Sequence, residues 1–116
     1  MMKSMVPRSV LILVRDARMR EFLERFFVGQ EWSVDMSAPY DLIVFDGDIG
    51  GELVRELRRT GDRTPALHLR RDALRMGRLA HVMRLRQPFT PDRLRDACGA
   101  ILRRKIKLVL KRKVSA

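Results

Sequence analysis

At 116 residues the chain is long enough for one hydrophobic core and not for two. Its 25 Lys plus Arg against 14 Asp plus Glu give +11, a balance that favours acidic partners, and its 46% apolar content excludes wholesale disorder. The lone Cys98 excludes an internal disulfide framework and suits a reducing compartment.

Taken in order, Met1–Ser9 lacks a signal-peptide pattern, and Val10–Val14 reads as a buried strand far too short to span a bilayer. Arg18–Val28 carries Met19, Phe22, Leu23, Phe26 and Phe27 at helical spacing, with Asp16 placed to cap the helix and Gly29 to end it. Glu31–Met36 alternates as a short second strand, with Trp32, Val34 and Met36 on one side. Ser37–Tyr40 is a turn. Asp41–Asp46 follows, four apolar residues between carboxylates, and suits a central parallel strand covered on both faces.

Glu52–Arg59 reads as a short helix, Thr64–Leu69 as a fourth strand and Asp72–Leu79 as a brief helix. His81–Leu85 is a fifth strand whose polar positions place it at an edge. Thr90-Pro91 starts a last helix with Leu94, Ala97, Cys98, Ile101 and Leu102 at core spacing. Strands and helices that alternate in this way predict an α/β fold with a parallel sheet. One crossover helix is missing, because the stretch between Val34 and Asp41 has no room for it.

Asp46 ends its strand where open α/β sheets place ligands. His68 and His81 have no ligand-like spacing with Cys or acids. Gly47, Gly50 and Gly51 match neither nucleotide-binding fingerprint. No Ser-His-Asp arrangement is visible. From Arg103 to Lys113, seven of eleven residues are basic: Arg103, Arg104, Lys105, Lys107, Lys111, Arg112 and Lys113. A stretch of this kind suits phosphate backbones, an anionic membrane, or simple solvation.

Asp41–Asp46, Arg20-Glu21-Phe22-Leu23, Thr64-Pro65 and Gln87-Pro88-Phe89, in this order and spacing, resemble the receiver (CheY-like) domains of response regulators. The resemblance covers about residues 8–104. It implies a three-layer sandwich with a doubly wound, five-stranded parallel sheet, the second receiver helix being the one lost. Residues 1–104 then form the receiver-like domain and 105–116 a basic extension of the last helix. The resemblance makes Asp46 the phosphoacceptor equivalent. It puts the acidic pair that holds Mg²⁺ on Val14 and Arg15, with Asp16 next in line, the phosphate-sensing Thr or Ser on Arg70, the aromatic toggle on Arg84 and the essential Lys on Gln87.

With those positions degenerate, the resemblance implies a pseudo-receiver: a non-catalytic bacterial signalling module that acts by phosphorylation-independent protein contact. No cofactor is expected. The first alternative is a working receiver that phosphorylates Asp46 with Mg²⁺ held by Asp16 and Asp48 as surrogate acids. The second is a nucleic-acid-binding regulator that uses the basic tail. The expected partner has an acidic surface. A homodimer is a further expectation, through residues 72–102 or through a sheet face uncovered by the lost helix, where Trp32, Met36 and Tyr40 are expected to form an exposed apolar patch. The expected location is cytoplasmic.

Overall fold

The computed structural model describes residues 8–37, 39–70 and 80–114; the side chains of residues 48, 49 and 104–114 are outside that description. Five strands form one parallel sheet in the order β2-β1-β3-β4-β5: β1 (Ser9–Leu13), β2 (Ser33–Val34), β3 (Leu42–Phe45), β4 (Ala66–Arg70) and β5 (Val82–Arg86). The described helices are α1 (Ala17–Gly29), α2 (Gly47–Arg59) and α3 (Pro91–Val114). This is the doubly wound α/β sandwich that the sequence predicts. The brief helix expected over Asp72–Leu79 lies outside the described residues.

The lost crossover has a geometric explanation. Val34 and Leu42 both pair with Val10, so β2 ends at the level where β3 begins. The link therefore has to cross only β1, two strand spacings or about 10 Å. The described residues of the link, 35–37 and 39–41, are not helical. Asp41 fixes the landing point: its N–H donates to the Ser9 carbonyl at 2.8 Å, and its Oδ2 accepts from the Ser9 N–H at 2.8 Å.

Alternation along the strands makes two cores. On the α1/α3 side Val10, Ile12, Val14, Leu42, Val44, Leu67 and Leu69 pack against Leu23 and Phe27 of α1 and Leu94, Cys98 and Ile101 of α3. On the α2 side the buried apolar residues among those described are Leu11, Ile43, Phe45, Ala66 and Val54, edged by Leu13, Tyr40, Leu53, Leu57 and Val82.

The helix ends follow local chemistry. Asp16 Oδ1 accepts the Arg18 N–H at 2.9 Å and caps α1. Thr90 caps α3, its Oγ1 accepting from the Arg93 N–H at 3.2 Å, with Pro91 at the first helical position. Gly29 is the last residue of α1, but the left-handed turn beyond it falls on Glu31, with φ 67°. That turn swings the chain back, so that the Trp32 N–H donates to the Phe27 carbonyl at 2.8 Å. α2 starts five residues earlier than the sequence predicts, directly after Asp46.

Candidate functional site

The degenerate positions gather at the carboxyl edge of the sheet, beside the switch point between β1 and β3. Asp46 leaves β3 with extended φ −131° and ψ 158° and stands as the cap residue of α2, yet its side chain makes no bond to that helix. Its Oδ1 instead accepts the main-chain N–H of Arg15 at 3.2 Å, while its own N–H donates to the Leu13 carbonyl at 3.2 Å. Asp46 is thus tied by both backbone and side chain to the end of β1. Arg15 meets Asp46 through its amide, and its side chain runs past Gly47, with Cδ 4.0 Å from where a Cβ would stand on that glycine.

The other positions divide by environment. Val14 is buried in the α1/α3 core, and Asp16 is occupied with the α1 cap. Arg70 ends β4 half-buried, and its carbonyl accepts the Gln87 N–H at 2.6 Å, which brings the ends of β4 and β5 together. Arg84 is exposed on β5 opposite His68, in register two positions before the Arg70–Arg86 pair. Among the described residues no three His, Cys, Asp or Glu side chains stand close enough to hold a metal ion. A valine in the core and a cation at the edge supply no oxygen donor where Mg²⁺ needs several.

Sequence reasoning singled out His68 only for its lack of ligand-like spacing and gave it no place at this site. It lies on β4 facing α2, 3% exposed, with its ring stacked on Phe45 at a 4.8 Å centroid distance and a 10° interplanar angle. Burial pushes its pKa below the ordinary 6.5, Arg84 and Arg70 push the same way, and Asp46 opposes them. An uncharged imidazole therefore sits within electrostatic reach of Asp46 and two arginines. The one available signal was His68 at an inward position of an otherwise apolar strand.

The expected patch of Trp32, Met36 and Tyr40 does not form. Trp32 packs on the opposite side of the sheet, edge-on to Phe27 at 5.3 Å, with the Arg8 guanidinium 5.8 Å from its ring. Tyr40 folds over the α2-side core, and its hydroxyl donates to the Met36 carbonyl at 2.8 Å. Met36 is left exposed at 74%. The physical reason is the pleat: Trp32 and Val34 share the α1 side, and the residues of β2 and its flank on the other side are the polar Ser33 and Asp35. The basic stretch 103–113 lies on α3, which continues unbroken to Val114. Among the described residues no helix is long and apolar enough to cross a membrane.

No protein-family model matches the sequence, and no curated protein matches it either. Solved structures do. A response regulator receiver protein from Sinorhizobium medicae superimposes with a TM-score of 0.72 at 17% identity, over 84% of this chain and 95% of that one. The receiver domain of a sensor histidine kinase from Pseudomonas aeruginosa, whose structure holds a magnesium ion in its active-site cleft, gives 0.68 at 20% identity, over 84% and 98%. The chemotaxis protein CheY4 of Vibrio cholerae gives 0.68 at 18% identity, over 83% and 99%. At such identities the likeness is one of fold: this chain has the fold of receiver domains over most of its length.

Proposed function

We propose that this chain, a receiver fold in architecture, is a pseudo-receiver: a non-enzymatic module of bacterial signal transduction that works by contact with another protein and not by phosphorylation of Asp46. The observation that carries this reading is the Arg15–Asp46 contact. A receiver that takes a phosphoryl group needs its aspartate oxygen open to the donor, with a metal beside it to offset charge. Here an Asp46 oxygen accepts the Arg15 amide, and the side chain of the same arginine runs past Gly47, the residue next to Asp46. Gln87, in the place of the charged lysine, carries no positive charge to pair with a phosphoryl oxygen.

The contact surface in this reading is the β5 edge of the sheet, with exposed Arg84 and Arg86 on its α2 face and exposed Arg93 and Arg95 on α3, cations that suit an acidic partner. An amide NMR titration with Mg²⁺ and beryllofluoride tests the mechanism. The expected result is no saturable shift around Asp46 at millimolar Mg²⁺, with Asp46→Asn behaving alike. Saturable shifts that vanish in Asp46→Asn would replace this reading by a phosphorylatable receiver.

A further inference from the structure

α3 has two halves of different character. Leu94, Cys98 and Ile101 are buried against the sheet, Leu102 is half-buried beside them, and Arg103 is exposed. The helix nevertheless runs on to Val114, about 16 Å beyond Arg103. α3 starts after the carboxyl end of β5 and packs back along the sheet, so this continuation lies at the end of the molecule opposite Asp46. The continuation is therefore remote from Asp46.

The continuation concentrates charge. Residues 103–113 contribute +7 of the formal +11, and no acid follows Asp96. Arg103, Lys107 and Lys111 repeat at i and i+4, where like charges destabilise a helix. The chemistry of the cations also changes: four of the five lysines in the sequence fall in Lys105–Lys113, whereas arginine serves nearly everywhere else. Ile106, Val109 and Leu110, at i, i+3 and i+4, share one face of the helix.

We propose that residues 103–114 of α3 are a membrane-surface arm, which lies along an anionic lipid headgroup layer with Ile106, Val109 and Leu110 at the acyl boundary. Nucleic acid would neutralise the cations and leave the apolar face without a use. An anionic bilayer uses both features: it takes up the apolar face and it offsets the repulsion along the arm. Long lysine stems suit such a surface, because they bury their methylenes and keep the ammonium among the headgroups.

Co-sedimentation of the full chain with phosphatidylcholine vesicles, with and without about one-third phosphatidylglycerol, tests this. Binding is expected to the anionic vesicles alone and to weaken as salt rises. The double variant Ile106→Ser/Leu110→Ser should lose about tenfold in affinity. Trp32 fluorescence, which reports on the packing against Phe27, should be unchanged in that variant and so separate lost binding from lost folding. Failure to bind anionic vesicles would overturn the proposal. So would undiminished binding by the double variant together with displacement by duplex DNA, an outcome that assigns the arm to nucleic acid.

Discussion

The two faces of the sheet solve the same problem with unequal means. The α1/α3 face is covered by two long helices and closed by a run of aromatic side chains: Phe22, Phe26, Phe27, Trp32 and Phe89. The α2 face has one described helix, a loop carrying Tyr40 and a handful of polar pegs. On β4 and β5 the contrast is residue by residue. Leu67, Leu69, Met83 and Leu85 point to the first face, and His68, Arg70, Arg84 and Arg86 occupy the alternate positions. The first face holds the domain together by burial; the second is held by particular contacts, and each of these should be separable by mutation.

The largest effect belongs to the first face. Phe27 is fully buried between α1 and the sheet and has Trp32 and Phe26 against its ring. Phe27→Ala should cost about 3–5 kcal/mol, a loss that urea denaturation would read directly.

On the second face the strongest peg is Arg58. Its guanidinium, with the side chain only 11% exposed, donates to four carbonyls: Ala80 at 2.6 Å, Thr64 at 2.6 Å, Asp62 at 3.0 Å and His81 at 3.4 Å. It ties the end of α2 to the starts of β4 and β5. Arg58→Ala should cost about 2–3 kcal/mol, and Arg58→Lys should recover less than half, because an ammonium cannot span the same fork. Equal stability of Arg58→Lys and the parent chain would show that position, and not fork geometry, is what matters.

Gly50 comes next. A Cβ there would stand 2.6 Å from the Cβ of Phe45, in the first turn of α2 where the helix meets β3. Gly50→Ala should cost about 1–3 kcal/mol through overpacking, although alanine is the better helix former. A neutral or stabilising result would mean that α2 can move away from Phe45. Tyr40→Phe, which removes only the hydroxyl bond to Met36, should cost about 1 kcal/mol. That small figure measures how much of the cover over the missing helix depends on the hydroxyl.

Legibility in the sequence divides along the same line. The apolar strands, the caps at Asp16 and Thr90 and the missing crossover were readable because period, capping residues and chain length are local quantities. Trp32 was legible too, though only by a stricter use of alternation: with Ser33 and Asp35 on the other side, the edge strand offers that side nothing apolar to cover. Arg58 was not legible. A cation in the last turn of a helix reads as solvent-facing, and its four acceptors lie up to 23 residues away in sequence. At Asp46 the residue was readable and its partner was not: the bond comes from the main-chain amide of Arg15, which residue identity does not encode.

His68 gives the subtlest contrast between the faces: its ring ordinarily titrates near neutral pH, whereas the buried thiol of Cys98 on the first face is pushed up to about 12. The His68 pKa is lowered in the folded chain by burial, then by Arg84 and Arg70, with Asp46 acting the other way. Below its ordinary value of 6.5 the unfolded chain therefore binds the proton more readily than the folded one. The contribution of neutral His68 is fully present above that pH and is lost as pH falls from it through the folded-state pKa. Melting midpoints measured across this range should decline toward acid, and His68→Leu should flatten the decline. Part of the slope should persist in that variant, since His81 is lowered as well, by burial and by Arg58 and Arg63. If His68→Leu leaves the whole slope in place, the ring carries no proton-linked stability. The α2 face would then depend on Phe45 stacking, which leucine imitates only poorly.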